Sequence, residues 1–292
     1  MEKAQNVASF LQWATGGLTK AGVDSPRLDA ELLLAEALNV SRKALYIDPD
    51  RKLDASQGDL ANRLLERRTS REPMAYILRQ REFWGRAFQV NRQVLIPRPE
   101  TEILIEAFLK WNNRIAPKQP IRILDIGTGS GAIAVTLACE IPDCQVVATD
   151  ISAQALAVAK TNAIAHGVDK QIQFIEDNIF PAKPQEKFDA ILSNPPYIES
   201  GEISRLMPDV GAYEPVLALD GGPEGLDFYR QMLPASKEFL LDEGVLMLEI
   251  GHDQASSVVE LFPQDFSTPI VLQDYSGYDR VVMAERNRDA NG

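Results

Sequence analysis

A glycine-rich turn between an apolar segment and a helical stretch is the first feature of this sequence that could do chemistry. It follows the apolar residues IRIL, precedes the helical stretch AIAVTLACE, and reads Asp125, Ile126, Gly127, Thr128, Gly129, Ser130 and Gly131. Glycines permit a tight turn and the close approach of a ligand to the backbone. The free N–H groups that open a helix attract an anion. The turn therefore predicts a site for the carboxylate or the phosphate of a cofactor.

Acidic residues end the next two apolar segments. Asp150 ends CQVVATD, where its carboxylate can accept hydrogen bonds from both hydroxyls of a ribose. Asp177, in the turn Glu176 to Asn178, can accept a hydrogen bond from an adenine amino group. The G-x-G-x-G spacing differs from the G-x-G-x-x-G of dinucleotide enzymes, and Asp125 before it disfavours a pyrophosphate. A cofactor with a cationic amino group is favoured, and a simple strand-ending turn is the alternative.

A second polar turn follows the apolar segment FDAILS. It consists of Asn194, Pro195, Pro196 and Tyr197. Two prolines remove two N–H donors, so carbonyl oxygens of the turn are left as acceptors. The Asn194 side chain adds another oxygen acceptor, and the Tyr197 ring offers a flat face. The turn therefore predicts a site for a planar NH₂ group, either of an amide or of a base.

Short apolar runs alternate with helical stretches over the part of the chain that carries these residues. The runs are IRILDI, CQVVATD, IQFIED, FDAILS, GVLMLEI, TPIVLQD and RVVMAE. This alternation predicts an α/β fold with a mostly parallel sheet of seven strands, covered by helices on both faces. Ligands of such sheets bind beyond the carboxyl ends of the strands. The candidate residues all lie at such ends.

The N-terminal part of the chain has a different pattern. Residues 4–78 show only helical periodicity, which predicts a small helical bundle. Aromatic and β-branched residues around Gly85, within 82–96, predict a β-hairpin between two domains. A further amphipathic helix is predicted over about 100–111, before a linker at 117–120. We expect one small and one large domain in this chain of 292 residues.

Composition limits the function further. The sequence has no apolar run of about 18 residues and no signal-peptide pattern, so we expect a soluble, cytoplasmic protein without a membrane partner. The cysteines Cys139 and Cys144 and the histidines His166 and His252 form no metal-ligand pattern, so we expect no metal. A net charge of −12 disfavours nucleic acid as a direct partner.

One segment, residues 60–92, reverses the acidic balance. Its eight arginines are Arg63, Arg67, Arg68, Arg71, Arg79, Arg81, Arg86 and Arg92. They form either a solvated helix face or a docking surface for an acidic or ribonucleoprotein partner.

The sequence resembles the PrmC (HemK) family of protein-glutamine methyltransferases over nearly its whole length. The resemblance is carried by REPMAYIL, FWGRAFQV, VLIPRPETE, DIGTGSG, NPPY, EPVLALDGGPEGLDFYR, EIGHDQ and GYDRVV. The segment IPRPETE is more specific than NPPY, which adenine methyltransferases also carry. One departure is Arg79, where relatives usually have glycine after YIL. The resemblance implies a Rossmann-like class I methyltransferase domain with a small N-terminal helical domain joined by a β-hairpin.

The family resemblance also implies an activity and roles for residues. The enzyme would transfer a methyl group from S-adenosyl-L-methionine to the glutamine of the Gly-Gly-Gln motif in peptide chain release factors, leaving S-adenosyl-L-homocysteine. Residues 1–80 would be the helical, substrate-docking domain, 81–97 the hairpin linker and 98–287 the methyltransferase domain. The implied cofactor-binding residues are Gly127, Thr128, Gly129, Ser130, Gly131, Asp150, Asp177, Asn178 and Asn194.

The implied glutamine-binding residues are Asn194, Pro195, Pro196 and Tyr197, with Asn194 and Pro195 as the catalytic pair. Arg98 and Glu100 would help to close the site. Two other functions stay open: an adenine N6 methyltransferase acting on DNA or RNA, because a flipped base presents the same NH₂ group, and a non-catalytic cofactor-binding assembly factor.

Overall fold

A computed structural model of the protein describes residues 6–116, 120–181 and 187–288. These residues form two compact units. The first, called the helical unit, contains the chain up to Gln80 together with Met207–Tyr213. The second, the sheet unit, contains Arg81–Leu206 and the chain from Glu214 onward. The sequence-based division assigned 207–213 to the methyltransferase domain, whereas the structure groups this segment with the helices. Most of the expected linker at 117–120 lies outside the described residues.

The helical unit is built from amphipathic helices. They are α1 (Val7–Lys20), α2 (Pro26–Leu38), α3 (Ala44–Ile47), α4 (Ala55–Thr69) and α5 (Met74–Leu78). Two of them begin with a capping box, in which the side chains of Asn6 and Asp54 accept hydrogen bonds from the backbone N–H groups of Ser9 and Gln57. The apolar faces of α1, α2 and α4 form one buried core.

Several arginines of the 60–92 segment are engaged inside the protein. Arg68 is buried; its Nε lies 2.7 Å from an Asp29 oxygen, and its Nη1 lies 2.7 Å from an Asp209 oxygen. Arg71 also pairs with Asp209. Arg67 donates two hydrogen bonds, of 2.8 and 2.9 Å, to Glu72. These arginines therefore form ion pairs inside the protein. This role differs from both interpretations of the segment, a solvated helix face and a docking surface.

Arg79 ends helix α5 in an unusual backbone conformation. Its φ is +57°, in the left-handed region, and its N–H group donates to the Ala75 carbonyl. Glycine is the usual residue at such helix ends because a Cβ is strained there. A glycine would relieve this strain, so Arg79 has a cost in stability at this position.

The β-hairpin predicted around Gly85 is present. It pairs β1 (Gln80–Phe83) with β2 (Arg86–Gln89), and Trp84 and Gly85 form its turn with φ values of +51° and +65°. Two successive left-handed residues are typical of the tight turn that suits a twisted hairpin. The buried Asn162 bonds both backbone groups of Gln89 and donates to the Ser130 carbonyl. The hairpin is therefore anchored to the glycine turn.

The sheet unit contains all seven strands that the sequence predicted. They are β3 (Arg122–Ile126), β4 (Gln145–Asp150), β5 (Ile172–Glu176), β6 (Phe188–Ser193), β7 (Leu240–Glu249), β8 (Ile270–Gln273) and β9 (Asp279–Glu285). Their order is β5-β4-β3-β6-β7-β9-β8, and β9, which pairs antiparallel with β7 and with β8, runs opposite to the other six. The prediction of an α/β fold with a mostly parallel, seven-stranded sheet is confirmed.

Helices connect the strands. They are α6 (Glu102–Ile115), α7 (Ala132–Glu140), α8 (Ala153–Ala165), α9 (Pro208–Gly211, in the helical unit), α10 (Asp227–Phe239) and α11 (Ala255–Glu260). From β3 the chain first moves outward to β4 and β5, and then returns to place β6 on the other side of β3. The connections diverge at this point, so a crevice is expected beyond the carboxyl ends of β3 and β6.

None of the helices in the described ranges is long and apolar enough to cross a membrane. Within those same ranges, no group of three or more histidine, cysteine, aspartate or glutamate residues is arranged to hold a metal ion. The cytoplasmic location stays a prediction.

Candidate active site

A cavity of about 340 Å³ lies at the carboxyl ends of β3, β4, β5 and β6. Most of the candidate residues line it: Gly127, Thr128, Gly129, Ser130, Asp150, Asp177, Asn178, Asn194 and Pro196. Gly131, Pro195 and Tyr197 do not line it. The structure therefore brings the glycine turn, the two acidic strand ends and Asn194 around one space, as the strand-end rule predicts.

The glycines of the turn have different roles. Gly127, Gly129 and Gly131 have φ values of +69°, +56° and +80°, which strain any other residue. A Cβ at Gly131 would lie 3.1 Å from the Cβ of Ala159, so this glycine also allows the turn to approach helix α8. A Cβ at Gly127 would meet no protein atom within 4 Å. Gly127 and Gly129 line the cavity, and Gly131 serves the fold around it.

Asp125 braces the glycine turn from inside the protein. Its Oδ2 accepts hydrogen bonds from the Thr128 hydroxyl at 2.7 Å and from the Ala134 N–H at 3.1 Å. Its Oδ1 is buried and has no partner among the described residues. Burial raises the pKa of this carboxyl to about 7, and the nearby Asp150 charge adds to the effect. Asp125 does not line the cavity, so the contact that the structure shows is with the turn.

Asp150 connects the ends of two strands. Its Oδ2 accepts from the Gly129 N–H and its Oδ1 from the Ser152 N–H, both at 2.9 Å. Burial raises its pKa, and these hydrogen bonds oppose the rise. The Asp150 carbonyl accepts from the Asp177 N–H at 3.2 Å, which joins β4 to the turn after β5. Because a carboxylate oxygen has two lone pairs, each Asp150 oxygen can still accept a hydroxyl.

Ile179 shapes the same edge of the cavity at a cost in backbone strain. It lines the cavity with a φ of +68°, which is rare for a β-branched residue. The Thr149 hydroxyl holds the Ile179 carbonyl at 2.9 Å.

Asn194 is held in one orientation by a residue that sequence reasoning missed. Its Nδ2 donates to the Thr101 hydroxyl at 2.9 Å. Thr101 is buried at the start of helix α6, and its hydroxyl faces the buried carboxyl of Glu249 at the end of β7, whose pKa it lowers against the effect of burial. Because the amide nitrogen points to Thr101, the side-chain oxygen of Asn194 is left for another partner.

The backbone of the polar turn is packed against a second glycine segment. A Cβ at Gly221 would lie 2.8 Å from the Tyr197 Cα, and one at Gly225 would lie 2.3 Å from the Tyr197 carbonyl oxygen. Gln254 Nε2 donates to the carbonyls of Tyr197 at 3.0 Å and Gly225 at 3.2 Å. Among the described residues, none donates to the Pro195 carbonyl. Glycines in LDGGPEG were the only sequence signal for this support.

Arg98 contacts an acidic residue on the far side of the polar turn in sequence. Its Nη2 lies 2.6 Å from a Glu214 oxygen, and the Ile96 N–H donates to the other oxygen at 3.3 Å. Burial raises the pKa of Glu214, and Arg98 opposes the rise. The pair fixes the segment that continues with Pro215 and Leu217, both of which line the cavity.

A second cavity, of about 530 Å³, adjoins the first. The two share Asn178, Ile179, Pro196, Leu217 and Phe228. The space beside the polar turn therefore extends from the first cavity into the second.

The sheet order, the glycine turn after the central strand and the acidic strand ends around one cavity define a class I methyltransferase. The PrmC N-terminal domain model matches residues 9–78, and the Methyltransferase small domain model matches residues 100–208. The hMettl16 catalytic domain, solved with a 3′UTR hairpin, has a TM-score of 0.54 at 16% identity over 76% of this chain and 82% of that one, which shows the fold.

Two relatives show the family. A release factor glutamine methyltransferase of Geobacter sulfurreducens is 42% identical over 277 residues, 94% of this chain and 95% of that one. The protein of the same name from Caulobacter vibrioides is 38% identical over 271 residues, 92% of this chain and 93% of that one. The chain belongs to the family of release factor glutamine methyltransferases, which confirms the resemblance seen in the sequence.

Proposed function

We propose that the protein transfers a methyl group from S-adenosyl-L-methionine to the side-chain amide nitrogen (N5) of the glutamine in the Gly-Gly-Gln motif of release factors. The observation that carries the proposal is the fixed amide of Asn194, which has its nitrogen on Thr101 and its oxygen free for a substrate NH₂ group. The names of the relatives support a glutamine of a release factor as the acceptor.

The cavity residues fit this cofactor. Gly127, Gly129 and Ser130 offer close backbone approach at a helix start, which suits a carboxylate. Asp150 keeps lone pairs for two ribose hydroxyls, and the turn at Asp177 and Asn178 would hold the adenine. When bound, the cofactor supplies an electrophilic methyl group: the N–C bond forms as the C–S bond breaks, and the electron pair stays on sulfur to give S-adenosyl-L-homocysteine.

The residues of the polar turn would compensate for a weak nucleophile. The lone pair of an amide nitrogen is delocalised into its carbonyl, the same resonance that gives a peptide bond a rotation barrier of ~18–20 kcal/mol. The Asn194 side-chain oxygen and the Pro195 carbonyl would accept the two amide hydrogens and hold the nitrogen in line with the methyl group. Such positioning can supply ~7–11 kcal/mol of the barrier.

The proton that leaves the nitrogen needs another acceptor. Asn194 cannot ionise, so it orients the substrate and does not act as a general base. The new bond makes the nitrogen acidic, and water takes the proton. A contact between the Tyr197 ring and the planar amide stays a prediction, since Tyr197 lines neither cavity. The second cavity gives room for the chain that flanks the glutamine.

We also propose that the helical unit docks the release factor, because the family model that matches it belongs to these enzymes. A short Gly-Gly-Gln peptide lacks that docking contact. It should be methylated with a higher KM than the whole release factor, and an equal KM would contradict the docking role.

The activity is tested with the purified chain and methyl-labelled cofactor. A release factor, duplex DNA and transfer RNA are offered in parallel, and the methyl group is mapped by mass spectrometry. We expect label on the glutamine of the Gly-Gly-Gln motif. Label on adenine in either nucleic acid would replace the proposal by a base methyltransferase, and no transfer to any of the three would favour the assembly factor.

A further inference from the structure

The function of the polar turn depends on which way the Asn194 amide faces. With the oxygen toward the substrate, it accepts a hydrogen from the substrate NH₂ group. With the amide flipped, two NH₂ groups would face each other and neither could accept. The rotamer alone does not decide between the two orientations, so a partner of the amide has to.

Thr101 can fix the orientation of the Asn194 amide only if its own hydroxyl hydrogen is donated to another group. A hydroxyl has one hydrogen to donate, and it can also accept. When that hydrogen goes to a carboxylate, the Thr101 oxygen can only accept from Asn194, which fixes Nδ2 on this side. If the hydrogen were free, Thr101 could donate to the Asn194 oxygen instead and allow the flip.

Glu249 is placed to take that hydrogen. Its side chain is 1% exposed, and Thr101 is 4% exposed, so water does not compete. The Thr101 hydroxyl and the Tyr197 phenol face the Glu249 carboxyl and lower its pKa against the effect of burial, while its Oε2 has no hydrogen-bond partner among the described residues. The Tyr229 hydroxyl holds the Glu249 carbonyl at 2.8 Å. The backbone of Glu249 is thus fixed, and its carboxylate oxygens can accept hydrogen bonds.

We propose that Glu249, acting through Thr101, is a positioning residue that keeps the Asn194 oxygen turned toward the methyl acceptor. The inference deepens the proposed function and rests on it, because an orientation matters to catalysis only if Asn194 binds the acceptor NH₂ group. The Tyr197 phenol, at the other end of the polar turn, also faces this carboxyl.

The orientation should depend on the charge of Glu249. Burial raises its pKa to about 7; Arg280 lowers it, Glu100 raises it, and the Tyr197 and Tyr229 phenols are the other titratable groups that face it. When the carboxyl is protonated, it can donate to Thr101, and the direction of the chain of hydrogen bonds is no longer imposed. Methyl transfer should therefore be faster above about pH 7 than below it.

The first test compares isosteric variants at buried threonines. Thr101→Val removes the hydroxyl and should lower kcat by about 10- to 100-fold, as when a group that orients a metal ligand is lost. Thr101→Ser restores the hydroxyl and should recover most of the rate. Thr136→Val is the matched control: Thr136 is equally buried, its hydroxyl has no partner among the described residues, and it does not line the cavity.

Cofactor affinity should be the same in all three variants, because the cofactor side of the cavity is unchanged. A wild-type kcat in Thr101→Val would overturn the inference while leaving the proposed function intact. Failure of the wild-type protein itself to methylate glutamine would overturn the proposed function instead.

A second readout does not need methyl transfer. In the protein labelled with ¹⁵N at asparagine side chains, the Asn194 NH₂ hydrogens should exchange slowly with water in the wild type and quickly in Thr101→Val. Equal exchange in both proteins would show that Thr101 does not hold the amide.

The third test is the pH profile of kcat. In the wild type it should rise through about pH 7, and in Glu249→Gln, which cannot ionise, this rise should disappear. If Glu249→Gln keeps the rise, the positioning role of Glu249 is overturned. If the rate of that variant is also lower at every pH, Glu249 is a purely structural residue.

Discussion

Buried acids are treated differently in the two units of the molecule. In the helical unit, Asp29, Glu31 and Glu72 each lie within 2.8 Å of an arginine nitrogen. In the sheet unit, Glu214 is paired in the same way with Arg98, but Asp125 and Glu249 are fully buried and no ion pair is found for either among the described residues. Each keeps one oxygen without a hydrogen-bond partner.

The difference separates stability from function. Burying a charge without a partner costs several kcal/mol of folding free energy. Such a group therefore binds a proton and becomes neutral, or it is kept because it has a role other than stability. Burial raises the pKa of both Asp125 and Glu249 to about 7. Asp125 holds the glycine turn, and Glu249 lies behind the polar turn. The paired acids are held by arginines, whereas the two unpaired acids lie beside the two turns that we propose to carry the chemistry.

The largest effect on stability is expected where the ion pairs are broken. Arg68→Met leaves the Asp29 carboxylate buried without its cation, so it should lower the free energy of unfolding by about 3–5 kcal/mol. Urea denaturation followed by circular dichroism measures the change. The matched control is the exposed Arg63→Met, which should change stability by less than about 0.5 kcal/mol. Similar losses of stability in both variants would contradict the importance of the buried ion pair.

Asp125 should make stability depend on pH in the opposite way to the paired Glu31, whose pKa is lowered by hydrogen bonds from Tyr46 and Arg27 against the effect of burial. Because the pKa of Asp125 is raised to about 7 in the folded state, the folded protein binds more protons than the unfolded chain between about pH 4 and about pH 7. Its contribution is full below this window and falls as pH rises through it, by up to about 1.4 kcal/mol per pH unit. Asp125→Asn should remove that slope, which unfolding curves at several pH values measure. A slope equal to that of the wild type would contradict the assignment.

A smaller effect is expected at the cofactor edge. Asp150→Ala removes the acceptor for two ribose hydroxyls and should weaken cofactor binding by about 10- to 100-fold, the value of one hydrogen bond to a charged group. Calorimetric titration gives the dissociation constant. Asp143→Ala, at an exposed position just before β4, is the control and should bind as the wild type does. An unchanged constant for Asp150→Ala would count against its ribose role.

The smallest effect is a gain. Arg79→Gly relieves the left-handed backbone at the end of α5 and should raise the free energy of unfolding by about 1 kcal/mol. Arg79→Ala keeps the Cβ and should give no gain, which makes it the control in thermal unfolding. If both variants melt at the same temperature, the left-handed backbone of Arg79 is not a source of strain that glycine relieves.

That the glycine turn and the acidic strand ends surround one cavity could be predicted from the sequence, because each of them lies in a local pattern. The glycine turn, Asp150 and Asp177 all directly follow apolar segments, and the carboxyl ends of parallel strands meet at one edge. The alternation of short apolar runs with helical stretches also predicted the seven strands, and helical periodicity predicted the N-terminal part. What the sequence could not show was that Gly131 serves the approach of helix α8, since that depends on Ala159.

The support of the acceptor turn could not be predicted, because its contacts join residues far apart in the chain. Asn194 and Thr101 are 93 residues apart, and a threonine before a helix has the appearance of an ordinary cap. The same holds for the arginine segment: Arg68 finds Asp29 at 39 residues and Asp209 at 141 residues. Composition shows an excess of charge, but the fold decides which charges meet.

The central claim is that Asn194 orients the acceptor NH₂ group and adds little to cofactor affinity, although the family resemblance also implies a cofactor contact for it. Asn194→Ala tests it most directly, with methyl transfer to a release factor and the cofactor dissociation constant measured on the same preparation. The account predicts that turnover falls by at least about a hundredfold, as when an oriented hydrogen-bonding group is removed from an active site, while the dissociation constant stays within about twofold. Undiminished methylation by this variant would contradict the account.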